Sequence, residues 1–397
     1  MIRGWWKQLK IIFYEFYRSG AWKVLVATYV VALIGGLSIS WWEAATARQG
    51  LTAQVTTSAG EMAELQASAE QYRLWMQEDQ VVKNASLSAE MKNIQSTYNE
   101  GAKLFEARAD LAVFGGKVSS IDNELAKFLN YLSLGEWQKA SEQSDKVQGE
   151  IDKLAASLVP KAMVATAPVS NTLAASGYSR QKVVTERGEF VVAMVVAPGA
   201  RVMVETASES DCSDNCPTKS LAEHIAAAGG FAGINGAYFC PPDYARCQGK
   251  VNSFDTLAVS GRTKAVLNRA NNVYSTIPLV AAYGTSLSFY DQTLQWGVDT
   301  SSGGALANYP RLLRDGSIAT DDNSSKGMRG FIGVKDGGIV IGHVYSASYA
   351  DTAEVLRTLG LQNALNLDGG GSSALWYEGA YRVGPGRSLP TAIVLVR

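Results

Sequence analysis

The stretch Ala364–Trp376, ALNLDGGGSSALW, decides how this chain is read. Ala364-Leu365-Asn366-Leu367 has the composition of a short buried strand, and Asp368 stands where it ends. Gly369, Gly370 and Gly371 follow. Glycine tolerates positive φ and lets another group come close to the backbone. Ser372 and Ser373 add two hydroxyls before a second apolar run. A carboxylate on a glycine loop at a strand end is material for a site on a sheet. It is equally material for a tight turn in which Asp368 caps its own backbone, and taken alone the stretch does not choose.

The surroundings are strand-like. From Gln181 onward, EFVVAMVVAP, RVMVET, LAVSGRTK, SLSFYD, GFIGVKDGGIVIGHVY and TAIVLVR are short β-branched runs broken by Gly, Pro, Asn and Asp. Ser220–Ala228 and Asp351–Leu359 carry helical patterns, so residues 181–397 read as an α+β domain with strands outnumbering helices. Asp336-Gly337 reads as the turn of a hairpin, with Arg329 just before its first strand.

Upstream the pattern changes. All 10 prolines lie from Pro160 onward, and residues 43–159 are rich in helix formers. Met62, Leu65, Ala69, Tyr72 and Met76, and again Val118, Ile121, Leu125, Phe128 and Leu132, step by three and four. Breaks near Asn84-Ala85-Ser86, Gly115-Gly116 and Gly135 give about four helices, packed as antiparallel hairpins or as a coiled coil between subunits. This extracytoplasmic region reads as a stalk without a chemistry-bearing cluster. A homo-oligomer or an envelope complex would form through residues 51–159. Residues 160–180 read as a linker.

Val24 to Trp42 carries no charge and is long enough to cross a hydrocarbon core as a helix. Arg3, Lys7, Lys10, Arg18 and Lys23 precede it against the single acid Glu15. The expectation is therefore a transmembrane anchor at residues 24–42, with residues 1–23 cytoplasmic and partly amphipathic and the C-terminal domain outside. A cleavable signal peptide ending at Ala45-Thr46-Ala47 is disfavoured by the long basic segment and by Trp41 and Trp42. Lys+Arg number 36 against 37 Asp+Glu, for a net charge of -1, so no nucleic-acid partner is expected. Cys212, Cys216, Cys240 and Cys247 cluster in one half of the chain. In an exported domain that means disulfides rather than a four-thiolate zinc site, and Cys212–Cys216 with Cys240–Cys247 is preferred among three connectivities.

The order NGAYF (Asn235–Phe239), LLRDG (Leu312–Gly316), MRGFIGV (Met328–Val334), NLDGGGSSAL and finally PTAIVLV resembles the phosphodiester glycosidase family, whose best-known relatives are the N-acetylglucosamine-1-phosphodiester α-N-acetylglucosaminidases. The resemblance covers roughly Lys182 to Arg397, and NLDGGGSS is its most specific piece. It implies an α+β unit with a largely antiparallel sheet, and hydrolysis of the glycosidic bond of a sugar 1-phosphodiester. Asp368 is then the carboxylate that stabilises the oxocarbenium-like sugar or directs water. Arg329 matches the motif arginine that binds phosphate through a two-pronged guanidinium. The amides of Gly369, Gly370 and Gly371 hydrogen-bond phosphate or sugar oxygens. Ser372 and Ser373 add donors, and Asn235 and Asn366 hold sugar hydroxyls.

Against these roles stand plainer ones: Arg329 as a surface arginine, Asn235 as a turn residue, and His224 and His343 as structural histidines. The segment CPPDYARC, Cys240–Cys247, departs from the family and sits beside the expected site, where Asp243 and Arg246 are placed to touch ligand. No cofactor or metal is expected, since no calcium-loop pattern accompanies Asp368. The expected function is a membrane-anchored extracytoplasmic hydrolase acting on sugar 1-phosphodiesters of surface polysaccharides or glycolipids. The alternative is a non-catalytic glycan-binding or scaffold subunit that retains the fold.

Overall fold

The computed structural model describes residues 17, 20, 22–29, 60, 62–75, 80–158, 167–272, 275–299, 302–323 and 326–397. The chain divides into two units, Met1–Glu90 and Met91–Arg397. Most of the expected span Val24–Trp42 lies outside the described residues. Among the described residues, no helix is long and apolar enough to cross a membrane.

Helices α1 (Gln80–Val113), α2 (Ser119–Ser133) and α3 (Trp137–Leu158) follow one another. The three-and-four spacing packs as expected over Ile121 and Leu125 of α2, which share one core with Leu104 and Leu111 of α1 and Val147 and Ile151 of α3, whereas Met62 and Leu65 upstream are exposed. These three helices pack against one another within the chain. The expected break at Asn84-Ala85-Ser86 is absent, because α1 runs through it. Asn and Ser cost only tenths of a kcal/mol in an exposed helix interior, too little to end it. The glycine breaks are real. Gly115 and Gly135 adopt φ +77° and +69°, which β-carbon-bearing residues avoid.

Seventeen strands are described. They are β1 (Gly177–Thr185), β2 (Gly188–Ala197), β3 (Arg201–Thr206), β4 (Ala232–Asn235), β5 (Ala258–Val259) and β6 (Val266–Leu267). Then come β7 (Leu279–Tyr283), β8 (Ser286–Tyr290), β9 (Ala305–Ala307), β10 (Arg311–Arg314), β11 (Ser317–Ile318) and β12 (Gly327–Lys335). The last are β13 (Gly338–Ala347), β14 (Asn363–Leu367), β15 (Leu375–Tyr377), β16 (Ala380–Val383) and β17 (Thr391–Val396). They form a 7-stranded sheet, β1-β2-β13-β12-β14-β10-β11, and two 5-stranded sheets, β16-β15-β4-β17-β3 and β6-β5-β9-β7-β8. Neighbours pair antiparallel, as the family resemblance implies. Gly177–Arg180, read as linker, are strand.

The period-2 pattern sets the layers. In β2, Val191, Ala193 and Val195 face one core while Val192, Met194 and Val196 face another. The first core also takes Val202 and Val204 of β3 and Ile393 and Leu395 of β17, which packs the 7-stranded sheet face to face with the 5-stranded sheet that contains β17. The second core takes Ala353 and Leu356 of helix α5 (Tyr349–Thr358). On the far side, Ala392 and Val394 of β17 pack on Leu221 and Ile225 of helix α4 (Leu221–Ala228). The order is helix, sheet, sheet, helix. The Asp336-Gly337 hairpin turn forms as expected, with φ +49° and +78°. Cys212–Cys216 and Cys240–Cys247 are bonded, and no cysteine is free.

Candidate active site

β14 belongs to the first sheet and β4 to the second, and Asp368 is where their ends meet. The Asp368 N–H donates to the Gly236 carbonyl at 2.9 Å, and Asn235 Nδ2 donates to the Asp368 carbonyl at 2.7 Å. Asn235 Oδ1 accepts the Ala374 N–H at 3.0 Å and faces His343 Nε2 at 3.1 Å. Asn235 therefore clamps both ends of the loop. It is fully buried, as is Asn366, whose Nδ2 donates to the Tyr238 hydroxyl at 2.7 Å and the Tyr309 carbonyl at 2.9 Å. Asn235 and Asn366 Nδ2 therefore engage protein, while Asn366 Oδ1 is buried without a partner among the described residues. Both histidines are fully buried, as a structural role requires, but His343 holds Asn235 and so supports the loop.

The three glycines have three different reasons. A β-carbon at Gly369 would run into the Met328 carbonyl of β12. At Gly370, φ is +50°, and a β-carbon would collide with the Asp110 carboxylate of α1. At Gly371 it would lie 2.8 Å from the Arg387 guanidinium. The loop is bare because a strand, a carboxylate and an arginine each press on it.

Asp368 Oδ1 accepts the Gly369 N–H at 2.8 Å, and Ser372 hydrogen-bonds the same carboxyl. Burial nonetheless pushes its pKa up to about 7, with the nearby Asp110 charge adding to the rise. This carboxyl therefore changes charge near neutral pH, as proton-transfer groups do.

Arg329 lies on β12 next to an irregularity. Gly327 pairs with Ala347 but Arg329 with Val344, so β13 carries an extra residue there, and Ser346 takes φ +50°. Bulges of this kind re-aim side chains beside sites. Arg329 Nε donates to the Ala347 carbonyl at 3.1 Å, and its guanidinium stacks 4.1 Å from the Tyr349 ring centroid. The Tyr349 and Tyr238 hydroxyls are 2.7 Å apart. Asn366, Tyr238, Tyr349 and Arg329 thus form one connected wall. Ser372 Oγ accepts a 3.4 Å contact from Arg387, while Ser373 Oγ is buried and without a partner among the described residues.

Sequence reading missed Asp110, Tyr244 and Arg387. Arg387 Nη2 and the Tyr244 hydroxyl each donate to Asp110 Oδ1 at 2.7 Å. Arg387 also binds Asp243, with Nε donating at 3.0 Å. Arg246 pairs with Glu106 of α1. The CPPDYARC segment is therefore the seat on which α1 rests, and Asp243 and Arg246 engage protein. Burial raises the Asp110 carboxyl, and Arg387 opposes the rise. No sequence signal marked Asp110, one acid among many on a helix. Arg387 had one weak sign, the Gly-Pro-Gly run preceding it. No group of three or more His, Cys, Asp or Glu side chains among the described residues is placed to hold a metal ion.

Residues 229–396 match the family model for phosphodiester glycosidases. The resemblance carried by NGAYF, MRGFIGV and NLDGGGSS therefore holds over this part of the chain. Among solved structures the chain is similar to the catalytic domain of zebrafish N-acetylglucosamine-1-phosphodiester alpha-N-acetylglucosaminidase, with 16% identity, TM-score 0.41, and 56% of this chain and 83% of that one covered. It is also similar to a hypothetical protein from Synechocystis, with 15% identity, TM-score 0.39 and 55% of this chain covered. The match spans 62% of the length of the Synechocystis chain. No curated protein matches the sequence.

Proposed function

We propose that the C-terminal domain hydrolyses the glycosidic bond of sugar 1-phosphodiesters. The observation that carries this reading is Asp368, a carboxyl titrating at about 7 on a glycine loop, with Arg329 on the adjoining strand. The family match over residues 229–396 supports it. The bond between the anomeric carbon and the bridging oxygen breaks, and its electron pair leaves with the phosphomonoester. Arg329 holds that phosphate, and Asp368 takes a proton from the water that adds to the sugar. A phosphate leaves readily, so one carboxylate suffices.

Turnover of the full chain in ¹⁸O-labelled water tests this. The label should appear in the released sugar. Label in the phosphate would mean P–O cleavage and a different enzyme. One observation favours a non-catalytic scaffold: Asp110 already occupies hydrogen-bond donors beside the loop. Binding of sugar phosphodiesters without turnover would select that reading.

We further propose a membrane-anchored chain with its C-terminal domain outside and its substrate in surface polysaccharides or glycolipids. The charge asymmetry around Val24–Trp42 supports this, as do two disulfides, which persist in oxidising compartments. Protease added to spheroplasts should remove a C-terminal tag.

A further inference from the structure

A cavity of about 180 Å³ lies between the face of α1 and α3 and the start of β12. Its lining combines charged and apolar side chains. Lys326, Arg329 and Gly370, the residue two beyond Asp368, line it together with Ser346 and the Asp110 carboxylate, which Arg387 and Tyr244 already hold. Its apolar part is walled by Leu111 of α1, Phe114 just after it, Ile151 and Leu158 of α3, and Met328 of β12. Leu111 and Ile151 are buried, while Phe114, Leu158 and Met328 remain half-exposed, so the cavity is reachable from solvent.

A saccharide aglycone presents hydroxyls in every direction and needs polar partners for them. The apolar side chains of Leu111, Phe114, Ile151, Leu158 and Met328 offer none. An anionic group with an apolar tail matches this lining: Lys326 and Arg329, whose charge Asp152 and Asp351 only partly offset, and hydrocarbon beside them. Cavities of roughly 150 Å³ with apolar walls accept guests of about six carbons.

We propose that this cavity binds the alkyl or isoprenoid chain of a lipid-linked sugar 1-phosphodiester. Its phosphate lies at Lys326 and Arg329, and its sugar lies toward Asp368. This rests on the glycosidase reading and narrows its substrate from surface polysaccharides or glycolipids to lipid phosphates. It also gives α1 and α3 a role in substrate choice: the helical region and the glycosidase domain build the aglycone site together.

The test uses the full chain and two readouts. The first is calorimetric binding of methyl, butyl and octyl phosphate below micellar concentration. A fully buried methylene is worth about fourfold in affinity, so even partial burial should make octyl phosphate bind at least about 30-fold tighter than methyl phosphate. Ala155→Phe and Ala107→Phe, from different helices, fill the cavity without touching the loop. Each should erase that preference while leaving methyl phosphate binding and the melting temperature near wild type. The second readout is hydrolysis of sugar 1-phosphodiesters with the same three aglycones, where KM should fall with chain length.

Equal binding of methyl and octyl phosphate overturns the assignment, even if sugar methyl phosphodiesters are cleaved. So does an octyl preference that survives both filling variants in folded protein. An octyl preference lost in the variants, with no phosphodiester cleaved, supports the apolar site and refutes the glycosidase reading.

Discussion

Two carboxylates meet at one loop, and they reached it by opposite routes. Asp368 comes from β14, whose neighbours on both sides fix its register, so its position follows from the sheet. Asp110 comes from α1, where any acid on the right helical face would look alike in sequence. The first is surrounded by the residues that make it special; the second acquires its meaning only through Arg387 and Tyr244, which lie far along the chain. A site residue is thus legible when its local sequence builds its environment, and silent when tertiary packing does.

The largest expected effect tests that contrast directly. Asp368→Asn should lower kcat by at least about 10²-fold while keeping the fold, since the lost charge acts mainly in the transition state. Asp110→Asn should cost less than about tenfold. Steady-state kinetics of both variants on a sugar 1-phosphodiester decides it. Comparable losses would make Asp110 an equal partner in the chemistry and end the contrast.

The second effect concerns the point of contact. Gly370→Ala introduces a β-carbon at φ +50° that collides with the Asp110 carboxylate. It should destabilise by about 2 kcal/mol, combining backbone strain with the clash. Asp110→Ala in the same chain removes the clash but not the strain, so it should recover roughly half. Denaturant melts of the single and double variants measure this. Full additivity would mean that α1 does not press on the loop.

Much of the rest follows the same rule. The layers were readable because alternation in EFVVAMVVA and TAIVLV assigns each side chain to a face. The hairpin at Asp336-Gly337 and the pairing of the cysteines were readable because the deciding residues are close in sequence. Asn235 and Asn366 misled for a complementary reason. Polar residues in a site motif suggest ligands, yet Asn235 lies fully buried and holds the loop from behind, and Asn366 bonds Tyr238 and Tyr309. The seat formed by Tyr244, Asp243 and Arg246 was visible as a departure from the family, but its occupant was not. That occupant is a helix more than one hundred residues upstream.

The third effect separates anchoring from chemistry. Arg329 uses Nε on the Ala347 carbonyl and stacks on Tyr349. Arg329→Lys keeps the charge but loses the planar, two-pronged geometry and much of the stacking. It should raise KM about tenfold with a smaller change in kcat. A pure kcat loss with KM unchanged would move Arg329 from phosphate binding to the reacting bond.

The smallest effect is the most specific to the pair. Asp368 titrates at about 7 chiefly because it is buried, and the charge of Asp110 adds to that rise while Arg387 reduces it. A raised carboxyl pKa means that the ionised form, which accepts the proton from water, accumulates only as pH rises through about 7. Wild-type kcat/KM should therefore climb across that range, and kcat/KM reports the free enzyme's groups. Asp110→Asn removes one negative charge and leaves Arg387 without a charged partner on α1. Both changes favour ionised Asp368, so the midpoint should move down, by less than about one pH unit given that burial is unchanged. Asp110→Glu should hold the midpoint near wild type if the longer side chain still reaches Arg387. A midpoint in Asp110→Asn that stays fixed or rises would show that the two carboxylates share a loop without sharing a field.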